Sequence, residues 1–461
     1  MKLLLHLCLV LLSPMMVKAN APAKPLNVIF MLVDDLGWTD LGCYGGDYFE
    51  TPNIDRLARQ GMKFTQAYSA CTVCSPTRAS LLTGKYPATL KVTDWITGHV
   101  RPFAQLRVPD WTQHLPINEV TLAQRLKSAG YATASIGKWH LGGEAHRPEV
   151  FGFDVNIGGF DKGSPPNYFS PYKNPHLTDG PQGEYLTDRL TQEAVNYIER
   201  NKERPFFIYL PHYAVHTPIQ AKPEVADKYR NKPLPSGKEI NPAYAALVES
   251  VDDSVGALMK KLDETGIADR TVFFFTSDNG GLIKQTVNVP LRAGKGSAYE
   301  GGIRVPLIVR WPGVVKPGSV CDTPVITPDY YPTILELTGV ADAAGHAVEG
   351  ASLMPLLRET GGLKRTAIYW HYPHYHPGGA TPHSAIRDGD FKLLEFFEDG
   401  RFELYNLRED IGETVNLAAA DPDKAMALHG KLDLWRRETG AQSPMPNPDY
   451  DPKRENVPLR R

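Results

Sequence analysis

The sequence predicts an α/β fold, with a large, mostly parallel β-sheet flanked by helices on both faces and a smaller C-terminal α+β domain. From residue 27 to residue 337, apolar runs of strand length alternate with helical segments, which is typical of strands buried on both faces of a parallel sheet. After about residue 360, short strand-like segments joined by tight turns indicate a short antiparallel sheet. We therefore expect a larger domain at 22–360 and a smaller domain at 361–461.

The spacing of apolar residues and the turn residues beside them define each element in order. Buried runs predict strands at 27–33, 131–136, 205–210, 271–275 and 303–310. Helical spacing predicts helices at 51–60, 74–84, 119–129, 187–201, 242–265 and 330–337. Residues 90–117 and 143–182 lack a period and predict long loops. The C-terminal part predicts strands at 366–370, 391–396 and 402–407, a helix at 421–438 and an extended tail at 443–461.

Composition and the first residues indicate the compartment. The chain has 461 residues and a formal net charge of −2, so its bulk charge favours neither a nucleic-acid partner nor a membrane surface. Residues 1–21 resemble a secretory signal peptide. Lys2 precedes a mostly apolar stretch, and Ala19 and Ala21 offer small residues for cleavage. We expect export to a periplasm or out of the cell, and no membrane span.

The cysteines beyond that segment are too few for a disulfide scaffold. They are Cys43, Cys71, Cys74 and Cys321. Cys71 and Cys74 form a C-x-x-C pair, which also permits a redox protein with a reversible disulfide. Pro76 and Arg78 follow the second cysteine, and a redox motif requires neither of them.

Cys74 lies at a predicted helix start. Ser75 is the expected N-cap, Pro76 fits the first turn and Gly84 fits a left-handed C-cap. The helix dipole favours an electron-rich group at Cys74, and Arg78 lies one turn further on the same side. This stretch alone leaves open an inert, buried cysteine.

Polar residues follow four of the predicted strands at their carboxyl ends. They are Asp34 and Asp35, Lys138 and His140, His212 and His216, and Asp278 and Asn279. Ligands of parallel sheets bind beyond these ends, so the pattern predicts one active site. The pairs that begin at Asp34 and Asp278 supply only oxygen ligands, which favours calcium or magnesium over zinc. Either pair alone is also compatible with a helix cap or a turn.

The stretch from Cys74 to Lys85 resembles the signature of the type I sulfatases. It reads Cys-x-Pro-x-Arg followed by Leu-x-Thr-Gly-Lys, and the resemblance extends over about residues 26–415. It implies an alkaline-phosphatase-like fold, and a cysteine that a maturation enzyme oxidises to formylglycine (3-oxoalanine). The hydrate of formylglycine would attack the sulfur of a sulfate ester. Two departures are Lys85, where arginine is common, and Cys71, which lies beside the nucleophile.

The resemblance also implies roles for the polar residues. The implied metal ligands are Asp34, Asp35, Asp278, Asn279 and the formylglycine at Cys74, around calcium rather than magnesium. The implied stabilisers of charge are Arg78, Lys138 and Lys295. His216 would aid the leaving group, and His140 would assist the release of sulfate. The larger domain would be catalytic, and the smaller one would contribute to the substrate pocket.

Histidines are the predicted contacts to the substrate, because histidine suits sugar hydroxyls. They are His212, together with His371, His374 and His383 in a histidine-rich loop between the domains. The overall resemblance to secreted bacterial carbohydrate sulfatases implies an exo-acting hydrolase of a sulfated galactose- or N-acetylgalactosamine-type sugar. A packed domain junction is the alternative for the loop. An arylsulfatase, a phosphodiester or phosphonate hydrolase, and an unmodified sulfated-glycan-binding protein are the alternatives for the function.

Overall fold

The computed structural model describes residues 25–234 and 239–460. The strands are β1 (Asn27–Val33), β2 (Met62–Tyr68), β3 (His99–Val100), β4 (Leu106–Arg107), β5 (Ala132–Ile136), β6 (Val155–Ile157), β7 (Phe206–Pro211), β8 (Thr271–Ser277), β9 (Arg304–Arg310), β10 (Ser319–Cys321), β11 (Val325–Ile326), β12 (Ala367–Tyr372), β13 (His383–Asp388), β14 (Phe391–Phe396), β15 (Phe402–Asn406), β16 (Met445–Pro446) and β17 (Leu459–Arg460). The α-helices are α1 (Pro52–Gln60), α2 (Cys74–Thr83), α3 (Pro87–Leu90), α4 (Leu122–Ser128), α5 (Leu186–Asn201), α6 (Pro223–Arg230), α7 (Pro242–Glu264), α8 (Glu300–Ile303), α9 (Tyr330–Thr338), α10 (Met354–Leu357) and α11 (Pro422–Thr439).

β1 lies inside a nine-stranded sheet with the order β10–β2–β9–β8–β1–β7–β5–β6, and β11 pairs with the carboxyl end of β2. The five strands from β8 to β6 are parallel, whereas β9 is antiparallel to both of its neighbours. The predicted large, mostly parallel sheet is confirmed. The apolar runs did not predict β2, β6, β10 and β11, which lie towards the edges of the sheet.

Helices cover both faces of this sheet. Ile29 and Met31 of β1 pack into the core that includes α5 and α7. Phe30 and Leu32 point the other way, into the core that includes α2, α4 and α9. Because both faces are covered, the whole of β1 is buried, which explains its continuous apolar run.

The four-stranded antiparallel sheet β12–β13–β14–β15 forms the C-terminal part, and α11 packs against it through Leu428 and Leu432. The loop predicted around His371 and His383 is wrong, because β12 continues to Tyr372 and His383 begins β13. β13 is buried along nearly its whole length although it contains histidine, serine and arginine. A buried strand of this composition lacks the apolar pattern on which the prediction depended.

The tail of the chain, predicted to be extended, is extended only in part, because turns at 448–449 and 452–456 interrupt it. β16 pairs with β4 and β17 pairs with β3, so the tail follows the segment 99–107. Within the described ranges, none of the helices combines the length and the apolar character that a membrane span requires. The expected signal peptide at 1–21 lies outside the described residues.

Candidate active site

Neighbouring parallel strands end at one edge of the large sheet, and α2 begins there with Cys74. β8, β1, β7 and β5 are consecutive in the sheet, so the polar residues after each strand meet at this edge. The structure thereby brings together the residues that the sequence analysis assigned to metal binding and chemistry: Asp34, Asp35, Cys74, Arg78, Lys138, His140, His216, Asp278, Asn279 and Lys295.

Two buried ion pairs lie at the centre of this edge. Arg78 donates from Nε and Nη2 to Oδ2 of Asp278, over 3.0 and 2.7 Å. Lys138 Nζ donates to Oδ2 of Asp34 over 2.6 Å, and all four side chains are fully buried. Burial and the nearby Asp278 raise the pKa of Asp34, although Lys138 and Arg78 oppose that shift. The arrangement therefore favours an additional cation beside Asp34.

Lys295 forms a third pair at the same edge. Its Nζ lies 2.7 Å from Oδ1 and 2.9 Å from Oδ2 of Asp35. Asn279 Nδ2 donates to Oδ1 of Asp35 over 2.7 Å. Burial alone would raise the pKa of Asp35, but Lys295 and His216 hold it below its usual range. Asp35 in turn raises the pKa of Lys295 against the effect of burial, so both groups are charged at neutral pH.

His140 lies against the side chain of Cys74. Its Nδ1 is 3.4 Å from Cys74 Sγ, and its Nε2 contacts the carbonyl oxygen of Ile96. A carbonyl oxygen only accepts, so the proton belongs on Nε2 and the lone pair of Nδ1 faces residue 74. Burial and Lys138 lower the pKa of His140 well below its ordinary value. The ring is therefore a neutral base directed at residue 74.

His216 lies on the open side of the cluster. Its Nε2 is 3.6 Å from Oδ2 of Asp35, and its Nδ1 donates to the carbonyl oxygen of Thr217 over 2.9 Å. Its side chain is 15% exposed, whereas that of Asp35 is fully buried. Burial and the charge of Lys295 lower the pKa of His216 to about 3. The ring is thus positioned between the buried carboxylate and an incoming ligand.

The donor set fits a hard divalent cation. Among the residues that the structure describes, Asp34 Oδ1 and Asn279 Oδ1 are buried without a hydrogen-bond partner. Such an oxygen costs about 1–3 kcal/mol unless an ion or a water meets it. Donor atoms within 4.8 Å of one another form two sets, which are Asp34, Asp35 and His216, and Asp34, Cys74 and Asp278. Because carboxylate and amide oxygens dominate, the site suits calcium better than zinc.

A buried charge network includes α8, which follows the segment that carries Lys295. Lys392 of β14 donates to Glu300 of α8 over 2.9 Å and to Glu413 over 2.8 Å. Glu413 also accepts the backbone N–H of Glu300 over 2.7 Å. All three side chains are fully buried or nearly so. The network therefore connects the smaller sheet to α8, which begins five residues after Lys295.

A cavity of about 250 Å³ opens beside Lys295. The segment 295–299 forms one wall, and His376, residues 378–381 and His383 contribute to the others. His383 Nδ1 donates to the carbonyl oxygen of Thr381 over 2.7 Å, and its Nε2 has no partner within the described part of the chain. His383 therefore lines this cavity and carries a buried acceptor without a partner.

The structure does not bring the other three predicted substrate histidines to this cavity. His212, His371 and His374 are each at most 4% exposed and do not line it. Their rings bond to Ser254, Ser384 and Thr93, over 3.0, 2.7 and 2.8 Å. These three histidines are thus packed among protein groups, and the prediction that they contact substrate stays a prediction.

The sequence analysis did not predict two features of the site, because both depend on the loop 90–117. Trp95 is half-buried and stacks on His99 at 4.9 Å between ring centroids, and its edge meets His376 at 5.6 Å. Ser75 is not the N-cap of α2, since the helix begins at Cys74. Ser75 Oγ instead donates to the carbonyl oxygen of His140 over 2.9 Å and accepts from the backbone N–H of Ile96 over 3.1 Å. The loop had no periodicity that would have indicated these contacts.

Comparisons with known proteins identify the family. The family model described as Sulfatase matches residues 26–340, and the model described as N-sulphoglucosamine sulphohydrolase, C-terminal, matches 294–438. A sulfatase of Formosa agariphila is 35% identical, with 92% of this chain and 91% of the relative covered. The human N-acetylgalactosamine-6-sulfatase is 34% identical, with 76% of this chain and 69% of the relative covered.

A solved structure shows the same fold. Ps i-CgsB in complex with k-i-k-neocarrahexaose matches with a TM-score of 0.79 at 30% identity, with 93% of this chain and 95% of that chain covered. The family model spans the strand ends that carry the site and the stretch that begins at Cys74. The chain is therefore an enzyme that hydrolyses sulfuric esters, and it belongs to the sulfatase family.

Proposed function

We propose that this sulfatase removes sulfate from a sulfated carbohydrate, as an exo-acting enzyme on a galactose- or N-acetylgalactosamine-type sugar. The observation that carries the proposal is the convergence of Arg78, Lys138 and Lys295 at the edge where Cys74 begins α2. Cations directed at one point stabilise the charge that develops on sulfuryl oxygens. The sugar class is supported by the names of the human relative and of the oligosaccharide in the similar structure.

Each polar residue has a defined task in this proposal. Formylglycine, made from Cys74 by a maturation enzyme, would supply the nucleophile, and a calcium ion held by the carboxylates and Asn279 would supply positive charge. His140 Nδ1 faces residue 74 and would hold its proton. His216 lies on the open side of the cluster and would assist the departure of the leaving oxygen. Lys138 and Lys295 would bind the sulfate oxygens.

We further propose that the leaving sugar occupies the cavity beside Lys295. Its walls combine the lysine segment with His376 and His383, so the domain at 361–461 would contribute half of the pocket. The acceptor of His383 suits a sugar hydroxyl. The composition of residues 1–21 supports export to a periplasm or out of the cell.

Replacement of Cys74 tests the nucleophile. We expect Cys74→Ala to reduce sulfate release from a sulfated sugar by about 10³-fold or more, because covalent chemistry is lost. Cys71→Ala is the matched control, since this buried thiol lies three residues away, and it should keep most of the activity. Mass spectrometry of the peptide around residue 74 should find an aldehyde. A thiol in fully active protein, or equal turnover of phosphate esters, would contradict the proposal.

Removal of metal tests the ion site. Dialysis against a chelator should abolish sulfate release, and added calcium should restore it. Calcium at about 100 times its Kd should also raise the free energy of unfolding by about 2.7 kcal/mol. Asp34→Asn should remove this calcium-dependent stabilisation, because it deletes a charged donor at the centre of the set. Metal-free protein of full activity and unchanged stability would refute the site.

A further inference from the structure

A second cavity, of about 470 Å³, lies where the large sheet meets the C-terminal sheet. It shares no lining residue with the cavity beside Lys295. Its walls carry Arg304, Arg365, Arg387 and Arg408, and we name it the arginine cleft. Its two acidic lining residues are Asp322 and Asp390. The walls therefore present more positive than negative side chains.

Arg387 is the unusual member of the arginine cleft, because it is 3% exposed and bonds only to uncharged groups. It donates to the hydroxyl of Tyr68, to the side-chain oxygen of Gln66 and, over 3.1 Å, to the carbonyl oxygen of Gly389. Across the described residues it forms no ion pair with a carboxylate. The hydroxyl of Tyr68 links Arg387 to the carboxylate of Glu300, but Arg304 and Lys392 already pair with that carboxylate. Arg387 therefore has no carboxylate of its own, and an anionic ligand would supply one.

The other three arginines differ in how firmly they are held. Arg304 and Arg365 are paired with Glu300 and Asp329. Arg408 lies at the mouth, with a side chain that is 78% exposed and a loose 3.5 Å contact to a carboxylate. Arg408 can therefore turn towards a ligand at little cost, while Arg387 is already fixed.

We propose that the arginine cleft binds a sulfate group on a sulfated glycan chain, away from the catalytic edge. Guanidinium groups present forked N–H donors that match the oxygens of a tetrahedral oxyanion. The volume of 470 Å³ exceeds one sulfate group and admits the sugar residue that carries it. A sulfated glycan chain and free inorganic sulfate both present this oxyanion, so the test must distinguish the two ligands.

Binding measurements test this site independently of turnover. The full-length protein is titrated with inorganic sulfate and with a polysulfated heparin hexasaccharide at constant ionic strength. We expect the hexasaccharide to bind more tightly, and Arg408→Glu and Arg387→Gln each to weaken it by about fivefold or more, because each removes charge-assisted hydrogen bonds. Arg230→Glu on α6 is the matched control, since it makes the same charge change at an exposed site, and it should leave binding within about twofold.

The outcomes distinguish a glycan ligand from inorganic sulfate, and they can refute the proposed binding site. If inorganic sulfate binds as tightly as the hexasaccharide and both variants weaken it, the site is supported and free sulfate is its ligand. If both variants bind each probe as the unaltered protein does, the proposal is overturned. A response to Arg408→Glu alone also overturns it, because that result indicates a surface charge effect without the buried arginine. Thermal melts of each variant confirm that the protein is folded.

Discussion

At the scale of single residues, His383 and His371 make a useful pair. Both are buried in strands of the C-terminal sheet, but only His383 lines the cavity next to Lys295. We expect His383→Ala to raise KM for the sugar sulfate by about tenfold with little change in kcat, because a hydrogen bond to a bound hydroxyl is lost. Initial rates over a range of substrate concentrations measure this effect.

His371→Asn is the control for that prediction. It breaks buried hydrogen bonds to Ser384 and to the backbone of Gln442, so it should lower the free energy of unfolding by about 1–3 kcal/mol. Its KM should stay the same. An equal rise of KM in both variants would show that the effect is structural and would remove His383 from the pocket.

Some residues of the site can be predicted from the sequence, and others cannot. Asp34 and Asp278 were predictable, because acidic residues directly after buried strands have few structural reasons to be there. Trp95 was not, because its position depends on a loop with no period. The backbone conformation of Asp35 and His140 was also not predictable from the sequence. Their φ angles of 62° and 56° are left-handed, and only the surrounding fold imposes them.

At the scale of elements, the close packing of the lysine segment leads to a prediction about Gly296. Its φ is +89°, and an added Cβ would lie 2.1 Å from Nδ1 of His376. We expect Gly296→Ala to lower kcat/KM by about tenfold or more, because the segment must shift and take Lys295 with it. Steady-state kinetics on the purified variant measures the loss.

Gly379→Ala separates displacement from backbone strain. Gly379 lies in the same cavity wall with a φ of +99°, and nothing lies within 4 Å of its added Cβ. Both variants carry a strain of about 1 kcal/mol, but only Gly296→Ala also carries a clash. Similar kinetics in the two variants would mean that the contact with His376 does not place Lys295.

The elements themselves were predictable to different degrees. β1 and β8 are buried on both faces, so their apolar runs indicated strands directly. β13 is also buried, yet its polar residues concealed it in the sequence. The partners of Ser384 and Arg387 lie earlier in the chain, on His371 and Tyr68. The N-cap of α2 was predicted at Ser75, two residues beyond the observed N-cap Val73, and the contacts of Ser75 were not predicted.

At the scale of the whole molecule, buried histidines lead to a dependence of stability on pH. Burial lowers the pKa of His212, His371 and His383 to about 4. Their ordinary value is about 6.5, so below that pH the unfolded chain binds more protons than the folded one. We expect the free energy of unfolding to fall between pH 6.5 and pH 4, by about 1–2 kcal/mol per histidine at pH 5.

Urea unfolding at pH 7.5 and pH 5.0 measures this dependence. His371→Asn should reduce the difference between the two pH values, because one of the shifted groups is gone. Other titrating groups contribute equally to both proteins and cancel in the comparison. An unchanged difference in the variant would show that His371 does not contribute.

Lys392 has a consequence for exchanging parts between related enzymes. It neutralises Glu300, which lies in the larger part of the chain, together with Glu413, which lies in the smaller part. A chimera joined between 340 and 365 with a partner that lacks this lysine would leave the buried Glu300 paired with Arg304 alone. Loss of a buried ion-pair partner costs up to about 3–5 kcal/mol. A junction before residue 294, where the second family model begins to match, keeps all three charges on one side. A segment that is exchanged between related enzymes should therefore begin before residue 294, within the large sheet, rather than at the boundary between the two sheets.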